Sequence, residues 1–302
     1  MLRKKLLNTK LSVKEINIEP RKIMRFIMKD FDKNIAIDIL INELISKNKR
    51  LNENIKIPEY YGEKRKLLRA LMNTQSPVNL SEEFYKIQDK ILSDETEKKK
   101  LTLAEDIKTL SQNPNEIESK IALWQGDITC LKVDAIVNAA NSQMLGCFIP
   151  LHNCIDNQIH SAAGFQLRMD CYEIMQEQGH EEENGKAKIT PAYNLPSKHV
   201  IHTVGPAIAY GLEPNEKEIA ELESCYKSCL ETANENELKS IAFCSISTGV
   251  FNFPKDQASK LAVNTVRNYL KDNPNTSIEK VIFNTFSDEA TEIYRKNLEM
   301  DK

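Results

Sequence analysis

Residues 135–164 read AIVNAANSQMLGCFIPLHNCIDNQIHSAAG. The opening AIVNAA is short, apolar and closed by a polar Asn–Ser pair, which predicts a buried strand. A loop follows, bent by Gly146 and Pro150. Past Cys154 the pattern predicts a single helix running on through IHSAAGFQLRMDCYEIMQEQ (159–178). The same strand–loop–helix unit recurs on both sides. Candidate strands are IALWQG (121–126), KAKITPAY (186–193), HVIHTV (199–204), SIAFCSI (240–246) and KVIFNTF (280–286). Candidate helices are NEKEIAELESCYKSCLETANEN (215–236), FPKDQASKLAVNTVRNYLKDN (253–273) and DEATEIYRKNLEM (288–300). Such alternation predicts a layered α/β domain around a mostly buried mixed sheet. In these sheets ligands bind beyond the carboxyl ends of the strands, so chemistry is expected in the loops that follow them.

Upstream the pattern is different. KIMRFIMKDF (22–31), IAIDILINELISKN (35–48), KIPEYYGEKRKLLRALMNT (56–74) and SEEFYKIQDKILSDE (81–95) read as amphipathic helices. Ser81 is placed as an N-cap before two acids. The turn-forming SQNPNE (111–116) marks the boundary. The 302 residues therefore divide into a helical N-terminal region, 1–115, and an α/β domain, 119–302.

Composition excludes several classes. A net charge of −3 gives no bulk attraction to nucleic acid or to an anionic membrane. No apolar run approaches the ~20 residues that span a bilayer. The basic start MLRKKLLNTKLSVKEI lacks the apolar stretch of a secretory signal, so the expected compartment is the cytoplasm. Seven cysteines, an odd number, argue against a disulfide framework. Most are expected to sit reduced as small apolar side chains.

Three loops carry candidate chemistry. Cys147, His152 and Cys154 place two thiols and an imidazole within eight residues, a donor set zinc favours. The spacing is not that of a standard finger, so by itself it leaves an unrelated cluster equally open. His160 and Cys171 are alternative ligands, the first expected on the helix and the second in the core. Ser247-Thr248-Gly249-Val250-Phe251-Asn252-Phe253-Pro254 lies between a strand and a helix, where successive N–H groups form anion-binding nests. Gly249 is expected to let that loop turn. Asp127, in QGDIT, caps a turn or accepts from a base amino group. Asn138 and Asn141 offer amides at the end of their strand, and Phe286 offers a ring at the end of the last one.

Taken together, QGDIT, AIVNAANS, HVIHTVGP and STGVFNFP resemble the macrodomain family. More narrowly, NSQMLGCFIPLHNCIDNQIHSAAGFQLRMDC resembles its zinc-containing class, hydrolases that remove ADP-ribose from proteins. The resemblance covers roughly 119–302 and implies a three-layer macrodomain, a central mixed sheet flanked by helices. The helical region 1–115 is similar to the extension of that class. Carried over by position, the resemblance implies one zinc ion held by Cys147, His152 and Cys154. Asp127 and the Ile128 backbone would meet adenine, with Phe286 packed nearby. Asn141 would meet the distal ribose, and Ile155 and Asp156 would contact the ligand beside the zinc. Ser247, Thr248, Gly249, Val250 and Phe251 would wrap the diphosphate.

The implied reaction is hydrolysis of mono-ADP-ribose from modified, acidic side chains. Asn141 and Asp156 would orient ribose or water, and the zinc would act as a Lewis acid or lower the pKa of water. The resemblance further implies as partners a mono-ADP-ribosylated protein, with a lipoyl carrier as one candidate, and a sirtuin-like transferase. Two rival readings share the pocket: a non-catalytic ADP-ribose reader, and a deacetylase of O-acetyl-ADP-ribose. The resemblance departs at Val250, where the zinc class commonly has an acid, and at Asn252, where macrodomains commonly have Gly.

Overall fold

A computed structural model describes residues 32–48 and 55–299. The helix expected over 22–31 lies outside them. The first described helix, α1 (Lys33–Lys47), starts where Asp32 accepts hydrogen bonds from the N–H groups of Asn34 and Ile35. Its buried face is Ala36, Ile37, Leu40, Ile41 and Leu44, the three-and-four spacing of an amphipathic helix. α2 (Tyr61–Thr74) and α3 (Glu82–Glu97) complete a helical layer. Ser81 caps α3 by accepting from the Phe84 N–H at 3.0 Å, as its sequence position requires. The three helices enclose a core of Leu40, Leu44, Leu68, Leu71, Phe84 and Ile87. Phe165, from the α/β region, inserts into the same core.

The six expected strands form one sheet. In chain order they are β2 (Ile121–Gln125), β4 (Ala135–Ala140), β5 (Ala187–Pro191), β6 (His199–Val204), β7 (Ser240–Phe243) and β8 (Lys280–Thr285). The order across the sheet is β2-β8-β7-β4-β6-β5. All neighbours are parallel except β5, which runs antiparallel to β6 at one edge. A small parallel pair, β1 (Thr102–Leu103) with β3 (Leu131–Lys132), sits apart. Helices α4 (Ile155–Ala163), α5 (Phe165–Gln178), α6 (Glu216–Glu235), α7 (Lys255–Asp272) and α8 (Asp288–Glu299) flank the main sheet. Both faces of β4, β6, β7 and β8 are buried, which is why those strands read as continuous apolar runs. Because β2, β8, β7, β4 and β6 are parallel, the loops that follow them all leave one edge of the sheet. Among the described residues no helix is long and apolar enough to cross a membrane.

One expectation fails. The helix predicted to run unbroken from Cys154 to Gln178 is two helices, α4 and α5, broken at Gly164. Gly164 has φ 107° and ψ 174°, a conformation that side chains rarely adopt. Its Cα also lies against α3: a Cβ there would come within 2.6 Å of Gln88 Nε2. Gln88 caps the freed end by accepting from the Phe165 N–H at 2.8 Å and donating to Gln166. The break therefore lets the helical layer dock against the α/β layer. Gly164→Ala is expected to lower stability by about 1–3 kcal/mol, from backbone strain and displacement of Gln88. Urea denaturation checks this, and a variant as stable as the parent contradicts it.

Candidate functional site

β4 ends at Ala140, and Asn141 starts the loop that carries the metal-type donors. The Asn141 side chain holds the loop's curve: Oδ1 accepts from the Gln143 N–H, and Nδ2 donates to the Gly146 carbonyl at 3.2 Å. Gly146 takes φ 81°, and a Cβ on it would meet the His160 ring at 2.9 Å. A glycine is thus required twice over, for its backbone and for the ring behind it. Leu151 also lies in the left-handed region, φ 58°.

The loop brings Cys147, His152 and Cys154 together, each half-buried, with their donor atoms all within 4.8 Å of one another. Cys147 Sγ and His152 Nδ1 are 3.6 Å apart. A tetrahedral zinc with ordinary Zn–S and Zn–N bonds has a sulfur–nitrogen edge of roughly 3.5 Å. Cys154 caps α4, its Sγ accepting from the Asn157 N–H at 3.4 Å, a position that favours a thiolate. Burial, with the neighbouring Cys147 adding to it, pushes the Cys154 thiol up to about 12, so this thiol resists ionising without a cation. Donor types, spacing and charge fit a zinc ion with Cys147, His152 and Cys154 as its protein ligands.

Asp156 lies behind this loop rather than in the cleft. It is 4% exposed, and its Oδ1 accepts from Asn138 Nδ2 at 2.8 Å and lies 3.5 Å from His160 Nε2. Burial raises its carboxyl to about 6. Of the two amides at the end of β4, Asn138 is thus an internal support and Asn141 faces the loop. Asn138 also bonds His202 Nδ1, and His202 Nε2 faces Thr190 Oγ1 at 3.0 Å and Cys171 Sγ at 3.7 Å. His160, Cys171 and His202 could bring donor atoms together too, but all three are buried and His202 already has partners on both nitrogens. Ile155 is half-buried at the first turn of α4.

The loop after β7 meets the same edge. Its left-handed residues are Ser247, φ 63°, and Asn252, φ 54°. The turn expected of Gly249 is therefore made elsewhere. Asn tolerates this conformation better than most residues, so Asn252 can take the place where the resemblance leads one to expect Gly. Gly249 instead leaves open space, with no atom near its absent Cβ. Hydrogen bonds from Asn252 to Gly249 and from Phe253 to Ser247 close the loop. Among the described residues the Gly249, Val250 and Phe251 N–H groups make no intramolecular hydrogen bond. Three successive amides with no internal acceptor suit an anion. The Phe251 carbonyl accepts from Ile208, tying this loop to the one after β6, where Gly205 lies close against Ser247. Val250 is 68% exposed, and Thr248 is half-buried with its hydroxyl on the Ser245 carbonyl.

At the other end of the cleft Asp127 caps a turn. Its Oδ1 accepts from the N–H and the hydroxyl of Thr129, and its Oδ2 lies 3.9 Å from Lys99 Nζ. Ile128 is buried beside it. Phe286 is 80% exposed at the end of β8, the surface of a ring with nothing yet packed on it. With Ser245, Thr248, Lys255, Ser287 and Tyr294 it lines a cavity of about 230 Å³. Lys255 and Tyr294 have no motif that marks them in the sequence. Neither do Arg69 and Asn73 of α2, which reach the metal-type loop from more than 70 residues upstream.

The buried imidazoles set a pH dependence. Burial lowers His202 to about 3, while an unfolded chain leaves it near 6.5. Its stabilising contribution is complete above about pH 6.5 and is lost as pH falls toward 3, because the unfolded chain takes up the proton first. His202→Gln is expected to flatten the fall in unfolding free energy between pH 7 and 5 by up to about 1.4 kcal/mol per pH unit. Denaturant titrations of both proteins measure this, and equal slopes contradict it.

Comparison with known proteins agrees with this geometry. The macro domain family model matches residues 137–262. A protein-ADP-ribose hydrolase of Treponema medium is 48% identical over 257 residues, which is 85% of this chain and 95% of that protein. Another, from Staphylococcus aureus, is 43% identical over 265 residues, 88% of this chain and 96% of its own. Among solved structures, a Trypanosoma brucei macrodomain in complex with ADP-ribose superposes with a TM-score of 0.59 at 28% identity, covering 76% of this chain and 94% of that one. An Oceanobacillus iheyensis macrodomain with ADP gives 0.53 at 34% identity, covering 60% and 90%. With its six-stranded mixed sheet, its loops gathered on one edge and relatives that align along nearly their whole length, this chain belongs to the macrodomain family.

Proposed function

We propose that this protein is a zinc-dependent protein-ADP-ribose hydrolase that releases mono-ADP-ribose from modified side chains. The observation that carries the reading is the convergence of Cys147, His152 and Cys154 on the sheet edge that also bears the free amides of Gly249, Val250 and Phe251. The names of the bacterial relatives support the activity, and the ligand of the T. brucei structure supports the pocket. That the attachment is through acidic side chains, and that the substrate is a lipoyl carrier modified by a sirtuin-like enzyme, rests on the family resemblance alone.

The chain's residues divide the work along the cleft. Asp127, Ile128 and Phe286 receive adenine, the carboxylate as acceptor and the ring by stacking. Ser247 to Phe251 receive the diphosphate through backbone N–H groups, which satisfy its oxygens without a long cationic side chain. These contacts fix the nucleotide and place the distal ribose at the metal loop, where Asn141 and Ile155 border it. Held by Cys147, His152 and Cys154, a zinc ion would supply Lewis acidity beside the bond that breaks. Asp156 acts from behind, holding Asn138 and the start of α4 in place.

The test is release of ADP-ribose from a mono-ADP-ribosylated protein. Cys147→Ala and His152→Ala are expected to abolish release, while ADP-ribose affinity falls far less because most contacts lie elsewhere. Full release by either variant sinks the metal reading. Binding without release by the parent protein makes it a reader. Preference for O-acetyl-ADP-ribose makes it a deacetylase.

A further inference from the structure

Helix α2 of the helical layer makes polar contacts with the metal loop. Arg69 Nη2 donates to the His152 carbonyl at 3.2 Å and to Asn157 Oδ1 at 2.8 Å. Asn73 Oδ1 accepts from the Leu151 N–H at 3.1 Å, and its Nδ2 donates to Ser161 Oγ at 3.1 Å. The backbone that carries His152 is therefore gripped at two points: the Leu151 N–H, one residue before it, and the His152 carbonyl. Leu151 is also held in the left-handed region, a conformation that needs outside support in a residue with a side chain.

Asn157 extends the grip to Cys154. It is fully buried, its N–H donates to Cys154 Sγ, and its Nδ2 donates to the Ile149 carbonyl at 3.0 Å. Its Oδ1 is the acceptor that Arg69 engages. One guanidinium thus steadies the backbone of one candidate ligand and the partner of another.

α2 is itself immobilised. Arg168 Nη1 donates to the carbonyls of Met72, Asn73 and Gln75, and its guanidinium stacks 4.6 Å from the centre of the Phe148 ring, next to Cys147. The helix end that carries Arg69 and Asn73 is fixed to α5, so its contacts to the loop have a rigid base.

We infer that Arg69 and Asn73 are positioning residues for the metal loop, and that the helical N-terminal region is therefore a working part of the site. This rests on the zinc reading above. Neither residue reaches the adenine or diphosphate end. Their loss should act on the metal and on turnover and leave nucleotide binding alone.

The experiment uses the full chain carrying Arg69→Ala, Arg69→Lys, Asn73→Ala and, as a control on the exposed side of the same helix, Lys66→Ala. Three quantities are measured: zinc affinity by competition with a chromophoric chelator, ADP-ribose affinity by calorimetry, and kcat and KM for release. Arg69→Ala and Asn73→Ala should lose about ten- to hundredfold in zinc affinity or kcat, the usual loss when a partner of a metal ligand is removed. KM and ADP-ribose affinity should stay near the parent's. Arg69→Lys should recover part of the loss, since an ammonium can reach one of the two acceptors. Lys66→Ala should match the parent. If Arg69→Ala fails to fold, Arg69→Lys and Asn73→Ala decide. A parent that turns over without zinc overturns the reading beneath the inference. A parent that needs zinc, beside folded variants with unchanged zinc affinity and kcat, overturns the inference alone.

Discussion

A guanidinium with almost no access to water has to be satisfied where it lies. Arg168 is 2% exposed; its Nη1 meets that demand with three carbonyls at the end of α2, and the guanidinium lies over the rings of Phe148 and Phe165. Burial lowers its pKa to about 10, still well above neutrality, so the charge persists inside the protein. Removing the acceptors would leave it unpaired, at a cost of several kcal/mol. The helical layer, α5 and the metal loop are consequently locked to one another through a single side chain. The break at Gly164 and the cap supplied by Gln88 make the second seam of the same joint.

That joint gives the metal loop its shape. A loop with Gly146 and Leu151 in the left-handed region and two thiols beside an imidazole is not one a chain adopts for its own sake. It is held from within by Asn141, from below by Asn157 and from outside by α2. The buried layer of Asn138, Asp156, His160 and His202 forms its floor. Desolvation keeps both imidazoles neutral, so neither adds a positive charge to compete with a cation in the loop.

Much of this was legible in the sequence because it is local. Buried parallel strands leave continuous apolar runs, which made β4, β6, β7 and β8 readable, and the partly exposed β2 and β5 and the Ser81 cap could be read as well. The metal donors lie within eight residues and announce themselves by chemistry. What was not legible depends on distance. Gly164 reads as one tolerated glycine in a helical pattern until Gln88, 76 residues earlier, needs its place. Gly249 reads as the obvious turn residue, yet Ser247 and Asn252 take the left-handed conformation. Arg69 lies in an amphipathic helix among other basic residues, and no spacing rule links it to a loop 83 residues on. Asp156 sits beside the ligands in sequence, but the turn of α4 sends its carboxylate inward.

Metal dependence is the point on which the functional account stands. The direct measurement is the rate of ADP-ribose release by the protein stripped with a chelator and then titrated with zinc. Release is expected to vanish on stripping and to return in proportion to zinc, saturating at one ion per chain. Full release by the metal-free protein would contradict it.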